Sequence, residues 1–407
     1  MSDREFTGFD VETVAEAVRQ PPLADLRVAA RSRRRQRSAV LAVTVLVALA
    51  GLGVVPLTAR SGGTGWGGPD QPPARPTRAG EFVLTGPDSG VAVARFRCAV
   101  WFAHSTDGGR SWSDWDQARY RPSTCLSDDD DAPDLEYAVL AEGVYLVREE
   151  GGSHLSTDAG RTWRDADRAI VPVAAFPAKA RPVFCQLGCG AVREPLAVAG
   201  STVYRLTGEP PSPYPPFSIY PAADGTVWAT YWPGEIDRPT VVARSADRGA
   251  TWTIWRPEAR TNVVAVVGVD DREAYLLIEP APPAGSTTPT GPATLLRTTD
   301  GGKTWSDTGT DLPATQELPN LARGSDGSLL VPMSGYEEPE TVARLLVSRD
   351  DGHRFTVARE YRRLEGAVGA GPGAAWLYGR DDRSDAAPDH VIVTADGTSW
   401  TRFPLPR

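Results

Sequence analysis

The feature that most constrains this chain is a self-similar octet that returns at near-regular intervals after residue 100. It reads Ser105-Thr-Asp107-Gly-Gly109-Arg-Ser111-Trp112, then Ser156-Thr-Asp158-Ala-Gly160-Arg-Thr162-Trp163, Ser245-Ala-Asp247-Arg-Gly249-Ala-Thr251-Trp252 and Thr298-Thr-Asp300-Gly-Gly302-Lys-Thr304-Trp305. Two looser copies follow, Ser348-Arg-Asp350-Asp-Gly352-His-Arg354-Phe355 and the shorter Thr394-Ala-Asp396-Gly397-Thr-Ser399-Trp400. Apolar strand-like residues flank each copy, so each octet reads as a hairpin turn. Carboxylate and hydroxyl take up the turn amides, glycine supplies the positive φ, and the aromatic folds back into an apolar layer.

The octet resembles the Asp-box, or BNR repeat, of sialidases and other propellers. Its aspartates lie 51, 89, 53, 50 and 46 residues apart, and 89 is two periods. An unmarked blade is therefore expected near residue 203, where Pro195 to Leu206 reads as strand, short Gly200-Ser201 turn, strand. Gly-led strands at Gly143, Gly225, Gly327 and Gly373 precede several octets by about 20 residues, as an earlier hairpin of the same blade would. Six marked blades and one unmarked predict an all-β, seven-bladed β-propeller over residues 81–407, at about 47 residues per blade. A six-bladed ring is the alternative, if residues 170–212 are an insertion.

Ahead of the propeller, Ala39 to Ala59 runs 21 residues without a charge, enough for a helix to span the hydrocarbon core of a bilayer. Arg31, Arg33, Arg34, Arg35 and Arg37 precede it and Arg60 follows. That asymmetry predicts a single-pass plasma-membrane protein with a cytoplasmic N-terminus and an extracytoplasmic C-terminal bulk; a cleaved signal peptide is the rival. Residues 1–38 then form an Arg-rich, short helical tail, and residues 60–80, rich in Gly and Pro, a linker. Lysine occurs only at Lys179 and Lys303, the codon bias of a GC-rich, bacterial source.

The net charge is -9, and because residues 1–38 hold eight arginines against six acids, the remainder carries -11. Such a surface disfavours nucleic acid. All four cysteines follow the apolar segment, which predicts disulfides in an oxidising compartment. Of three possible pairings the sequence-local one, Cys98 with Cys125 and Cys185 with Cys189, is favoured. No cofactor and no metal site is expected: the histidines are scattered singly, and Asp128 to Asp131 with Asp134 lack the glycine-punctuated spacing of a calcium loop.

The resemblance implies that the Asp-box aspartates are structural and sit at the rim, away from the channel. In exo-sialidases it would further imply three arginines clamping a carboxylate, a Tyr-Glu nucleophile pair and an Asp acid/base. The arginine strand is not matched: the propeller opens Glu81-Phe-Val-Leu-Thr, and Phe96-Arg97-Cys98-Ala99 lacks the proline. Tyr361 with Glu365, beside Arg362 and Arg363, is the candidate nucleophile pair. Tyr231, Trp232, Glu235, Asp237 and Arg238 form a candidate sugar-stacking surface. The leading expectation is a non-catalytic, monomeric ectodomain that binds a protein or glycan partner through channel-end loops. An exo-sialidase-like hydrolase is the alternative, and a sensor coupled to a cytoplasmic regulator the second.

Overall fold

The computed structural model describes residues 75–125, 135–233, 240–257, 261–280, 291–313, 319–337, 340–362, 368–381 and 388–406. The tail, the apolar segment 39–59 and most of the linker lie outside these, as does the run Asp128 to Asp131. Among the described residues no helix is long and apolar enough to cross a membrane. Residues 73–407 make one compact unit.

Within it, seven four-stranded sheets follow one another along the chain, spanning 81–120, 136–165, 171–206, 216–255, 261–307, 322–362 and 368–404. They are the seven blades of a β-propeller. In six of them spatial order equals chain order and every pairing is antiparallel. Blade faces pack on neighbouring blades, so inner strands read as unbroken apolar runs rather than as alternations. In blade 5 Val263, Val264, Ala265, Val266 and Val267 are all 0% exposed, each large side chain contributing roughly 1.5–3 kcal/mol of burial.

Aromatic packing, not a shared strand, closes the seam between blades 7 and 1. The Phe82 ring stands edge-on to Trp376 at 5.8 Å and tilts against Phe403 at 4.9 Å. The Phe82 amide donates to the Tyr378 hydroxyl at 2.7 Å, and the Trp112 indole N–H to the Pro404 carbonyl at 3.0 Å.

Blade 3 departs from the pattern. Its sheet runs, from one edge to the other, Arg181–Pro182, Leu196–Ala199, Thr202–Leu206 and Val171–Val173, and the last of these pairs in parallel with its neighbour. The unmarked blade near residue 203 is thus present, and residues 170–212 belong to a blade rather than to an insertion. Gly200-Ser201, however, is not an eroded octet. In the marked blades the octet joins the third and fourth strands, whereas Gly200-Ser201 joins the second and third. After Leu206 the chain passes directly to blade 4, so the hairpin that an octet would turn is never made.

Candidate functional site

The six octets fold alike. In the first, the Ser105 hydroxyl donates to Asp107 Oδ1 at 2.9 Å and accepts from the Gly109 amide at 2.9 Å. The Asp107 carboxylate also accepts from the Ser111 amide (2.9 Å) and hydroxyl (2.7 Å). Asp158, Asp247 and Asp300 repeat this set, Asp350 accepts only the Arg354 amide in that place, and the shortened Asp396 turn uses the amides of Thr398 and Ser399. Hydrogen bonds from Ser111 to Asp107, and from Thr304 to Asp300, lower both carboxyls to about 2.

These turns share a face with the first hairpins of the blades. The Gly108, Ala159 and Gly301 amides donate to the carbonyls of Asp88, Gly143 and Arg272 in the first hairpins of their own blades. Because strands alternate in direction, the starts of first strands and the ends of second strands lie on the opposite face, which also carries the blade-to-blade connections. Loops of that kind host most binding chemistry on such scaffolds.

On that opposite face a loop of blade 3 enters the channel. Between Pro182 and Leu196 the chain crosses the ring and is pinned to four other blades. Cys185 forms an antiparallel bridge with Ile219, with N–H to O distances of 3.1 and 2.8 Å, and the Gly188 amide donates to the Phe217 carbonyl at 2.8 Å, both on blade 4. The Gln186 carboxamide donates to the carbonyls of Leu321 (2.7 Å) and Val266 (3.4 Å) and accepts from the Leu321 amide (3.2 Å), reaching blade 5 and the entry to blade 6. The Ala191 amide donates to the Tyr137 carbonyl of blade 2 at 3.4 Å. Gly190, at φ +53°, lies where a Cβ would collide with that carbonyl. Phe184 meets the buried Tyr220 ring edge-on at 5.8 Å. The Cys185–Cys189 disulfide staples this plug, while Cys98–Cys125 closes the other expected pair and leaves no free cysteine.

Beside the plug a cavity of about 400 Å³ remains, lined by the first strands of blades 1, 2 and 7. At its polar side the Tyr137 hydroxyl donates to Glu81 at 2.5 Å, and the Arg95 guanidinium lies 5.1 Å from the Tyr137 ring centre. Glu136 pairs with Arg193 and, at 3.9 Å, with Arg148. Burial, then the Glu81 charge, raises the Tyr137 phenol well above its ordinary range.

The sequence-based candidates are not gathered here. Tyr361 lies on Thr356–Arg362, the outer strand of blade 6, under the Arg359 guanidinium at 5.5 Å; Glu365 and Arg363 lie outside the described residues. Tyr231 is 1% exposed within the core between blades, whereas Trp232 is 41% exposed and packs edge-on against Phe217 at 5.6 Å. Glu235, Asp237 and Arg238 lie outside the described residues. Tyr231 packs in one cluster with Val183, Cys189, Ala191 and Val192 of the plug, while Trp232 lies against Phe217, whose carbonyl accepts from the Gly188 amide. Sequence reasoning missed Glu81, Arg95, Tyr137 and Gln186, because inward position at a strand end leaves no periodic mark. A cluster of Asp381, Asp389 and His390 exists at blade 7, but Arg402 holds Asp381 through both oxygens at 2.7 and 2.6 Å. Its charge occupies the place a cation would take.

No protein-family model matches the sequence, and no curated protein does. Solved structures similar in shape include an ancestral GH74 enzyme (12% identity, 80% of this chain and 46% of that one, TM-score 0.40). YCF48 bound to D1 peptide is similar at 13% identity over 80% of each chain, with a TM-score of 0.32. A PL25 ulvan lyase is similar at 12% identity over 79% of this chain and 90% of its own, with a TM-score of 0.40. The chain thus spans under half the length of the GH74 enzyme.

Proposed function

We propose that this chain is a membrane-anchored, extracytoplasmic propeller that binds a protein or glycan partner on the face carrying the plug, without turning it over. The observation that carries the reading is the plug: a stapled loop, hydrogen-bonded to four blades, crosses the channel in which a propeller hydrolase would seat its substrate and narrows it to a cavity of about 400 Å³ on one side. What it leaves is a mouth lined by Glu81, Arg95 and Glu136, and on the same face Trp232 stands exposed against Phe217, whose carbonyl holds the Gly188 amide of the plug; charges and an exposed aromatic are features of a recognition surface. Anchoring rests on the Ala39 to Ala59 segment and its arginine flank.

The hydrolase alternative finds less support. Tyr361 sits on an outer strand and does not line the cavity beside the plug. The test is photo-crosslinking of the full chain in native membranes from a probe at position 232. Adducts that disappear with Arg95→Glu support the reading. Turnover of a fluorogenic sialoside or other glycoside, lost with Tyr137→Phe or Tyr361→Phe, overturns it.

A further inference from the structure

The departure of blade 3 leaves a second opening, on the octet face. A cavity of about 610 Å³ lies between the octet and outer strand of blade 2, the residues Arg168, Ala169 and Val171 that follow it, and the Gly200-Ser201 turn. Its charged lining is Arg164, Arg168 and Asp165, a balance of one positive charge on a chain whose total is -9. Asp165 is engaged locally, accepting the Arg168 amide at 3.2 Å. Neither guanidinium has an ion-pair partner among the described residues, and the hydroxyls of Thr157, Ser201 and Thr202 make no hydrogen bond there. Leu155, Ala169 and Val171 supply an apolar side, Val171 being 41% exposed.

We infer that this groove binds an anionic sugar unit, a carboxylated or sulfated residue of an acidic glycan. Guanidinium forks match the geometry of a carboxylate or sulfate and cost little to desolvate. Unpaired hydroxyls exchange hydrogen bonds with ring hydroxyls, and the apolar side covers a ring face. The volume accommodates one or two sugar units, and no aromatic ring lines it to stack a nucleobase. The groove is independent of the plugged face and of the reading given to that face.

The test uses the full chain purified in detergent at low salt. Trigalacturonate supplies carboxylates, an iota-carrageenan tetrasaccharide supplies sulfates, and maltotetraose is neutral. Calorimetry should show binding of at least one anionic probe and none of maltotetraose. Arg164→Gln with Arg168→Gln should weaken it at least tenfold, Ser201→Ala with Thr202→Ala several-fold, and Lys303→Gln, on the blade 5 octet and outside both cavities, not at all. Which anionic probe binds identifies the acid group. The inference fails if neither binds, if the double arginine variant stays within twofold, or if inorganic sulfate binds as tightly as the tetrasaccharide.

Discussion

Gln186→Ala isolates the pinning of the plug. The side chain makes two well-formed hydrogen bonds, to the Leu321 carbonyl and from the Leu321 amide, and one long one to the Val266 carbonyl. Truncation leaves those backbone groups without a partner in a half-buried setting. Taking about 1 kcal/mol for each of the two good bonds and a fraction for the third gives a local cost of about 2 kcal/mol. That corresponds to about 30-fold faster opening at this site. Hydrogen exchange at the Leu321 amide reads it directly, since that N–H donates to Gln186 itself. Gln186→Glu separates hydrogen bonding from packing: at neutral pH its carboxylate keeps the Leu321 amide but faces two carbonyls, so exchange should be at least as fast as in the alanine variant. Below about pH 4.3 the acid regains a donor and part of the protection returns. Leu321 exchange within twofold of the parent in Gln186→Ala would refute the reasoning.

Three further outcomes are expected. The Asp107 and Asp300 carboxyls titrate at about 2 in the folded protein, below their unfolded value, so their contribution is complete above about pH 4 and is lost as pH falls toward 2; thermal melts of Asp300→Asn should lack part of that acid-limb slope. Gly249, at φ +89°, would place a Cβ 2.5 Å from Leu206, whereas Gly200, at φ +58°, faces open space. Gly249→Ala should therefore cost about 2–4 kcal/mol by chemical denaturation and Gly200→Ala about 1 kcal/mol, and equal costs would contradict the packing of the octet glycine on the preceding blade. Loop closure over 27 residues against 4 gives about 3.5 kcal/mol for Cys98–Cys125 and about 1.9 kcal/mol for Cys185–Cys189. Serine pairs should follow that order in melting temperature, while only the second pair should speed exchange at Leu321.

The repeat made the blade number readable because its chemistry is local: each octet satisfies its own amides, so its residue types do not depend on what the blade packs against. The sequence-local disulfides were readable for a related reason, that short separations limit the partners. The site was not. Glu81, Tyr137 and Arg95 meet only because the ring brings the starts of two first strands beside the end of a second, and Gln186 finds its partners 80 and 135 residues away. Tyr231 and Trp232 show the limit within a single dipeptide, adjacent in sequence and opposite in exposure because the strand Val227–Tyr231 is buried at every position and Trp232 lies just past its end. One signal was available and unused: Gly200 and Gly225 both open Gly-led strands, yet only 25 residues separate them, too few for an intervening pair of outer strands.

That short interval links the two unusual features of the molecule. Blade 3 takes its outermost strand, Val171–Val173, from chain that precedes its hairpin, which leaves residues 174–195 to return inward before the hairpin begins. Returning inward, they supply the Arg181–Pro182 strand and then the plug, so the narrowed channel and the missing outer hairpin have one topological origin. The plug could not be added to a regular blade without lengthening it, since a regular blade uses its chain for a third and fourth strand. Val171, at the start of that outermost strand, also lines the groove beside Arg164 and Arg168, so the rerouted segment borders both surfaces. The two surfaces can be altered separately, although one rerouting of the chain produced both.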